Sequence, residues 1–262
     1  MKVRKTIIAI GIILLMEAII LLCLFVVRPE TAAADEYGSS SAKPVDAKDN
    51  RNAGKVNNLD GKYQTEWEIY EENRKCLVLV NAKTALDKSY EVSLTSICKG
   101  RLQVSEQMHP SLVKMLKDAG KKGYHFWIAS GWRGRKKQKA LVEEDILREM
   151  RQGASYKEAC RLTYQETMPP GHSEHETGLA LDILCQGNTN MDISQEKEEG
   201  NRWLRKNCHR YGFILRYPKG KKKETGINYE PWHFRYVGEK ASKYMNQQKM
   251  TLEEFWSRLD KS

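Results

Sequence analysis

Hydrophobic and polar positions divide the chain into three unequal parts. Residues 7–27 form an apolar run of 21 residues interrupted only by Gly11, Glu17 and Cys23. That length suffices for a helix crossing a bilayer core of about 30 Å. Residues 35–62 are rich in Ser, Gly, Asn and charge and nearly devoid of core formers, which predicts a flexible linker. The remaining 200 or so residues are enough for one compact domain.

Within that domain the pattern changes often. "KCLVLVN" (75–81) is a continuous aliphatic run and predicts a buried strand, while "YEVSLTSI" (90–97) alternates and predicts a second. "HPSLVKMLKDAG" (109–120) predicts a helix with Pro110 in its first turn and an apolar stripe of Leu112, Val113, Leu116 and Ala119. "YHFWIAS" (124–130) reads as a strand. Helices follow over 136–151, with Leu141, Ile146, Leu147 and Met150 as apolar contacts, and over 156–166. "LALDIL" (179–184) is a short buried strand, 200–212 a helix, and "FILRY" (213–217) and "WHFRYV" (232–237) are strands. Strands and helices mix without regular alternation. The expected class is therefore α+β, not a doubly wound sheet.

Charge gives the first part an orientation. Lys2, Arg4 and Lys5 precede the apolar run and only Arg28 closely follows it, which places the N-terminus in the cytoplasm and the rest outside. The run exceeds a usual signal core of roughly 7–15 residues, so the expectation is an uncleaved single-pass anchor over residues 1–28. Ala32-Ala33-Ala34 offers the alternative, a secreted form cleaved after Ala34. The expected organisation is anchor 1–28, linker 29–62 and an extracytoplasmic domain 63–262. The chain carries a net charge of +10, of which Lys2, Arg4, Lys5 and Arg28 against Glu17 account for +3, leaving +7 outside. Export argues against nucleic acid as the partner and favours an anionic envelope. Five cysteines outside the run cannot all pair with one another, and none has C-x-x-C spacing.

Candidate chemistry gathers at three strand ends. In "SEHETGLALD" (173–182), His175 and Asp182 are seven apart. On one continuous helix they would stand about 10.5 Å apart along the axis, too far for one metal ion. Gly178 instead lets the chain turn, so that a loop with His175 folds over a strand with Asp182. A carboxylate in an apolar strand needs a metal or a cationic partner, and either an ion or an arginine would serve. "YEPWHFRYVG" (229–238) adds His233 on a strand, with Glu230 before a proline that favours extended backbone. Two histidines and an aspartate can hold zinc and leave the fourth position to water, with Glu230 as the separate base. The third stretch, "SGWRGRKKQ" (130–138), supplies Arg133, suited to a substrate carboxylate or an oxyanion. Arg135, Lys136 and Lys137 read as a solvated face.

Together these stretches resemble the VanY-type D-alanyl-D-alanine carboxypeptidases, of the zinc peptidase group that includes the hedgehog-like domain. The family pattern stands here as "SGWR" with Gln138, then "SEHETGLALD", then "EPWHFRYVG", and the similarity runs from about Cys76 to Trp256. The resemblance implies a small antiparallel sheet flanked by helices. It implies one Zn2+ per chain on His175, Asp182 and His233, with Glu230 as catalytic base and Arg133 assisting. Ser130, Arg133, Gln138 and Ser173 become substrate-pocket residues. The implied activity is removal of D-alanine from peptidoglycan stem pentapeptides, with a bearing on glycopeptide resistance. Trp132 and Gly134 depart from the commoner family residues and leave the preferred peptide end open. An L,D-carboxypeptidase acting on tetrapeptides, or a wall-binding or signalling module with a non-catalytic zinc site, are the alternatives.

Overall fold

The computed structural model describes Val56–Asn57, Tyr63–Gln64 and residues 66–260. The predicted membrane run and residues 29–55 of the expected linker lie outside the described residues. Among the described residues no helix is long and apolar enough to cross a membrane. Val56–Asn57 (β1) and Tyr63–Gln64 (β2) pair as a short antiparallel ladder, so pairing begins inside the stretch expected to be linker.

The fold is α+β and is built on two further antiparallel sheets. Leu94–Ile97 (β3) pairs with Leu102–Ser105 (β4). Phe126–Ser130 (β5), Ala180–Cys185 (β6), Phe213–Leu215 (β7) and His233–Tyr236 (β8) form a four-stranded sheet in the order β5-β6-β8-β7. Side chains alternate between faces along a strand. Leu181 and Ile183 of β6 join Phe234 of β8, Ile128 of β5 and Phe213 of β7 in the main core. Asp182 and His233 therefore point to the opposite face. That second face is also closed to water, since every residue of β6 and β8 is buried.

Helices complete the core. Glu66–Asn73 is α1 and His109–Gly120 is α2, which buries Leu112, Met115 and Ala119. The i, i+3, i+7 line thus passes through Met115, and Val113 of the expected stripe is exposed. Arg135–Arg151 (α3) packs on Tyr156–Thr163 (α4) through Val142, Ile146 and Ala159. Leu147 and Met150, expected as contacts, face solvent. α3 meets its neighbours along a narrow stripe, and Gln138 and Asp145 occupy part of it. Of the helix expected over 200–212, Glu199–Asn207 is α-helical (α5) and Cys208–Tyr211 tightens to a 3-10 turn, after which Gly212 turns the chain into β7. Lys222–Thr225 is a single turn (α6); Glu239–Gln248 (α7) and Leu252–Leu259 (α8) close the domain.

The stretch 77–80 forms no strand. Leu77 and Val80 are fully buried, yet the carbonyls of this segment serve side chains instead of a ladder. Arg235 Nη2 donates to Cys76 O (2.9 Å) and Val78 O (2.7 Å), and Trp256 Nε1 donates to Leu77 O (2.7 Å). The hydrophobic run signals burial correctly but not pairing. None of Cys76, Cys98, Cys160, Cys185 and Cys208 forms a disulfide.

Candidate active site

Backbone register assembles the centre of the site. Asp182 of β6 lies directly opposite His233 of β8. On its other side Asp182 faces Ser130, because β5 shifts register between Ile128 and Ser130. Regular pairing would have put Ala129 there, so the irregularity re-aims Ser130. His175 arrives from a 3-10 turn, Glu174–Thr177, that folds over the β6 face. Gly178 ends that turn at φ 72°, in the left-handed region. A Cβ there would also press on Leu94, Ser105 and Val92 at 3.2–3.3 Å.

One ligating atom each from His175, Asp182 and His233 lies within 4.8 Å of the others, and all three side chains are buried. His175 Nε2 is 3.3 Å from Asp182 Oδ2, and His233 Nδ1 is 3.3 Å from Asp182 Oδ1. The ion-pair contacts of Asp182 are these two histidines. Its Oδ1 is buried with no hydrogen-bond partner, an acceptor that a cation would satisfy. Two imidazole nitrogens and one carboxylate are a donor set suited to catalytic zinc, which leaves a fourth position for water.

The two rings are turned differently. His175 Nδ1 lies 2.9 Å from the Gly131 carbonyl and 3.4 Å from Ser130 Oγ. Nδ1–H donates to that carbonyl, which leaves the Nε2 lone pair facing Asp182. Gly131 has no alternative residue here, because a Cβ would sit 2.5 Å from Gln103 O. His233 directs Nδ1 inward and places Nε2 at ion-pair distance, 3.4 Å, from Glu174 Oε2. The Tyr217 ring stacks obliquely 4.8 Å from the His233 ring.

Burial and charge set the protonation of these groups. Burial lowers His175; it also opposes the charged form of His233, but contacts with Asp182 and Glu174 outweigh it and raise that ring to about 9. Burial works against ionised Asp182, yet the two histidines hold it well below the usual carboxylate range. Glu230 approaches His233 Nδ1 with Oε2 at 3.5 Å, and its backbone N–H donates to Tyr217 O (3.1 Å). Burial is the main reason its carboxyl is pushed up to about 8.

The residues expected to bind substrate are near but not equivalent. Arg133 donates its backbone N–H to His175 O (3.1 Å), and its side-chain Nε is buried without a partner. Burial lowers its pKa, opposed by Asp182 and other nearby carboxylates. Gln138 is buried on α3, where Nε2 donates to Met168 O (2.5 Å) and Oε1 has no partner. Ser173 is buried at the entrance to the 3-10 turn without capping it. His172 contacts Asn81 O at 2.7 Å through Nδ1.

The structure also gives roles to residues that the sequence left without one. Glu174 Oε1 accepts from Arg216 Nε (2.7 Å) and Arg235 Nη1 (2.6 Å). Burial opposes its charge, but the two guanidiniums hold its carboxyl well below the ordinary range. Arg216 in "FILRY" is a charge in an apolar strand, the same signal that marks Asp182. Arg235 lies two residues from His233 and so shares its face. Glu176 accepts from Gly171 N (2.6 Å) and from Arg135 Nε (3.2 Å). Arg135 is therefore a loop anchor and not simply part of a solvated face, whereas Lys136 and Lys137 are exposed as expected.

A family model described as VanY, D-alanyl-D-alanine carboxypeptidase, matches residues 101–239. The D-alanyl-D-alanine carboxypeptidase of Enterococcus faecalis (strain ATCC 700802 / V583) is 34% identical over 185 residues, covering 71% of this chain and 67% of the relative. Among solved structures, similarity is high to a glutamate-to-alanine variant of the vancomycin-resistance D,D-pentapeptidase VanY, from a VanB-type resistance cassette, in complex with Zn(II). That protein is 33% identical, with a TM-score of 0.64 over 70% of this chain and 99% of the other. The LdcB LD-carboxypeptidase is 32% identical, with a TM-score of 0.61 over 77% of this chain and 92% of the other. With the paired histidines and aspartate already in place on this chain, these matches establish that it belongs to the VanY family of D-alanyl-D-alanine carboxypeptidases and is a zinc carboxypeptidase.

Proposed function

We propose that the chain removes the C-terminal D-alanine from peptidoglycan stem pentapeptides, with zinc on His175, Asp182 and His233 and Glu230 as the base. The observation that carries this reading is the convergence of those three ligating atoms, within 4.8 Å of one another, beside the buried carboxyl of Glu230, 3.5 Å from His233 Nδ1. Zinc, when bound, supplies a Lewis acid and lowers the pKa of its water toward neutrality. Glu230 would take a proton from the water that attacks the penultimate carbonyl, and would return it to the amine of the departing D-alanine. Arg133, with its unpaired Nε, grips the substrate's terminal carboxylate through charge-assisted hydrogen bonds. Ser130, Gln138 and Ser173 line the same pocket. The membrane run over 7–27 would hold the domain outside the cell, beside its peptidoglycan substrate. A role in glycopeptide resistance belongs to the same proposal, since trimmed peptides lack the terminal D-Ala-D-Ala.

A second reading, cleavage of tetrapeptides as an L,D-carboxypeptidase, draws on the nearly equal likeness to LdcB. One assay separates the two. Defined penta- and tetrapeptides are incubated with the enzyme, with and without a chelator, and the released amino acid is identified by mass. D-alanine from the pentapeptide, lost on chelation, is the expected result; release from the tetrapeptide alone overturns the D,D assignment. Glu230→Gln is expected to keep zinc and lose about 10²–10⁴-fold in turnover. Full activity in that variant would remove Glu230 from the mechanism.

A further inference from the structure

The cluster behind His233 is expensive for a protein of this size. Glu174, Arg216 and Arg235 have side chains with 0% exposure. Burying such charges gains little stability over apolar packing of the same shape. Their arrangement is directional. Both guanidiniums bond Glu174 Oε1, leaving Oε2 with no hydrogen bond, 3.4 Å from His233 Nε2, a buried nitrogen that likewise has no other partner. Arg216 also makes a two-pronged contact with Glu253 of α8, at 2.8 Å and 2.6 Å. A line of contacts therefore runs Glu253–Arg216–Glu174–His233, from the last described helix to the zinc site. Glu253 lies beyond the residues that the family model matches.

We propose that Glu174 is a positioning residue for zinc: it accepts the Nε2 proton of His233, so that this ring ligates through Nδ1, and Arg216 and Glu253 hold it there. The inference rests on His233 being a zinc ligand. A histidine ligand is oriented, and its basicity raised, by whatever accepts its second N–H. The two ligands differ in this respect. His175 has a neutral acceptor, the Gly131 carbonyl, and offers Nε2; His233 has a carboxylate and offers Nδ1. The helix α8 thereby becomes part of the zinc site without touching it.

The test uses the full chain with isotope-labelled histidine, loaded with zinc. Nitrogen NMR is expected to show Nδ1 of His233 metal-bound with Nε2 protonated, and the reverse for His175. Glu174→Gln is expected to lower zinc affinity about ten- to a hundredfold, measured by competition with a chelating dye, and Glu253→Gln to lower it less. Metal on Nε2 of His233 overturns the proposal, as does unchanged affinity in folded Glu174→Gln. Should that variant fail to fold, the spectrum of the unsubstituted protein still decides. His233→Ala separates the layers: unchanged zinc affinity there defeats the ligand assignment itself, whereas loss there with none in Glu174→Gln defeats only the positioning role.

Discussion

Two ion pairs of identical length bracket the range of what charge does in this molecule. Arg235 Nη1 and Glu174 Oε1 are 2.6 Å apart with both side chains fully buried. Arg161 Nη2 and Glu158 Oε1 on α4 are also 2.6 Å apart, with side chains 61% and 44% exposed. Distance cannot distinguish them, yet their environments are opposite. In water the second pair exchanges one good solvation for another. In the interior the first has no solvent to fall back on, so each member depends on the other. The buried pair stands behind His233; the exposed pair lies on the surface of α4.

The sharpest way to break this contrast is to remove one buried partner. Arg235→Met leaves Glu174 with Arg216 alone and strips the donors from Cys76 O and Val78 O. A loss of about 3–5 kcal/mol in denaturant unfolding is expected, the usual cost of removing one partner from a buried ion pair. A loss below about 1 kcal/mol, the scale of an exposed pair, would show that burial confers nothing special here. Removing both charges sharpens the point. In Glu174→Leu with Arg235→Met, Arg216 keeps Glu253, and no unpaired charge remains in the interior. This double variant is expected to be more stable than Arg235→Met alone, while its zinc affinity falls as in Glu174→Gln. Recovery of both would mean that the charges serve neither fold nor metal.

Acid offers a finer probe of the same pair. Glu174 is held well below its unfolded pKa, so its stabilising share is complete above roughly pH 5 and drains away as pH falls past the ordinary carboxylate range near 4.3. In zinc-free protein the double variant should therefore show a shallower decline of stability with acid than the parent. A backbone change of intermediate size comes from Gly178→Ala, where φ of 72° disfavours any Cβ by about 1–2 kcal/mol before its close contacts are counted. Thermal unfolding would register it, and an unshifted midpoint would mean that the 3-10 turn relaxes freely.

The sequence discloses the working edge of the site more readily than its support. His175, Asp182, His233 and Glu230 stand in short motifs whose residue types already specify chemistry, and the turn at Gly178 follows from spacing. In the sequence Glu174 is only a carboxylate beside a histidine, because its meaning comes from Arg216 and Arg235, 42 and 61 positions away. Pairing at such separation leaves no periodic trace. The same limit explains the fold. "LALDIL" reads as a strand because it is central and buried on both faces, whereas "KCLVLVN" is also rich in aliphatic residues but lends its carbonyls to Arg235 and Trp256. The strand β4 and the helices α1, α7 and α8 escaped notice. Their apolar positions meet partners from across the chain, as Leu77 and Ile214 meet Leu252 and Phe255 in the second core.

The smallest expected effect completes the comparison with Arg235 and Glu174. Arg161→Ala removes the exposed partner of Glu158, three residues earlier on α4, where Ser155 already caps the helix by accepting from Glu158 N at 3.3 Å. Glu158 then faces water with its solvation intact, in the first turn, where a negative charge is favoured by the helix dipole. The unfolding midpoint, the zinc affinity and the rate of D-alanine release should all match the parent. Were this variant to lose as much stability as Arg235→Met, equal pair lengths would carry equal weight after all, and burial would cease to explain why the charges behind His233 matter.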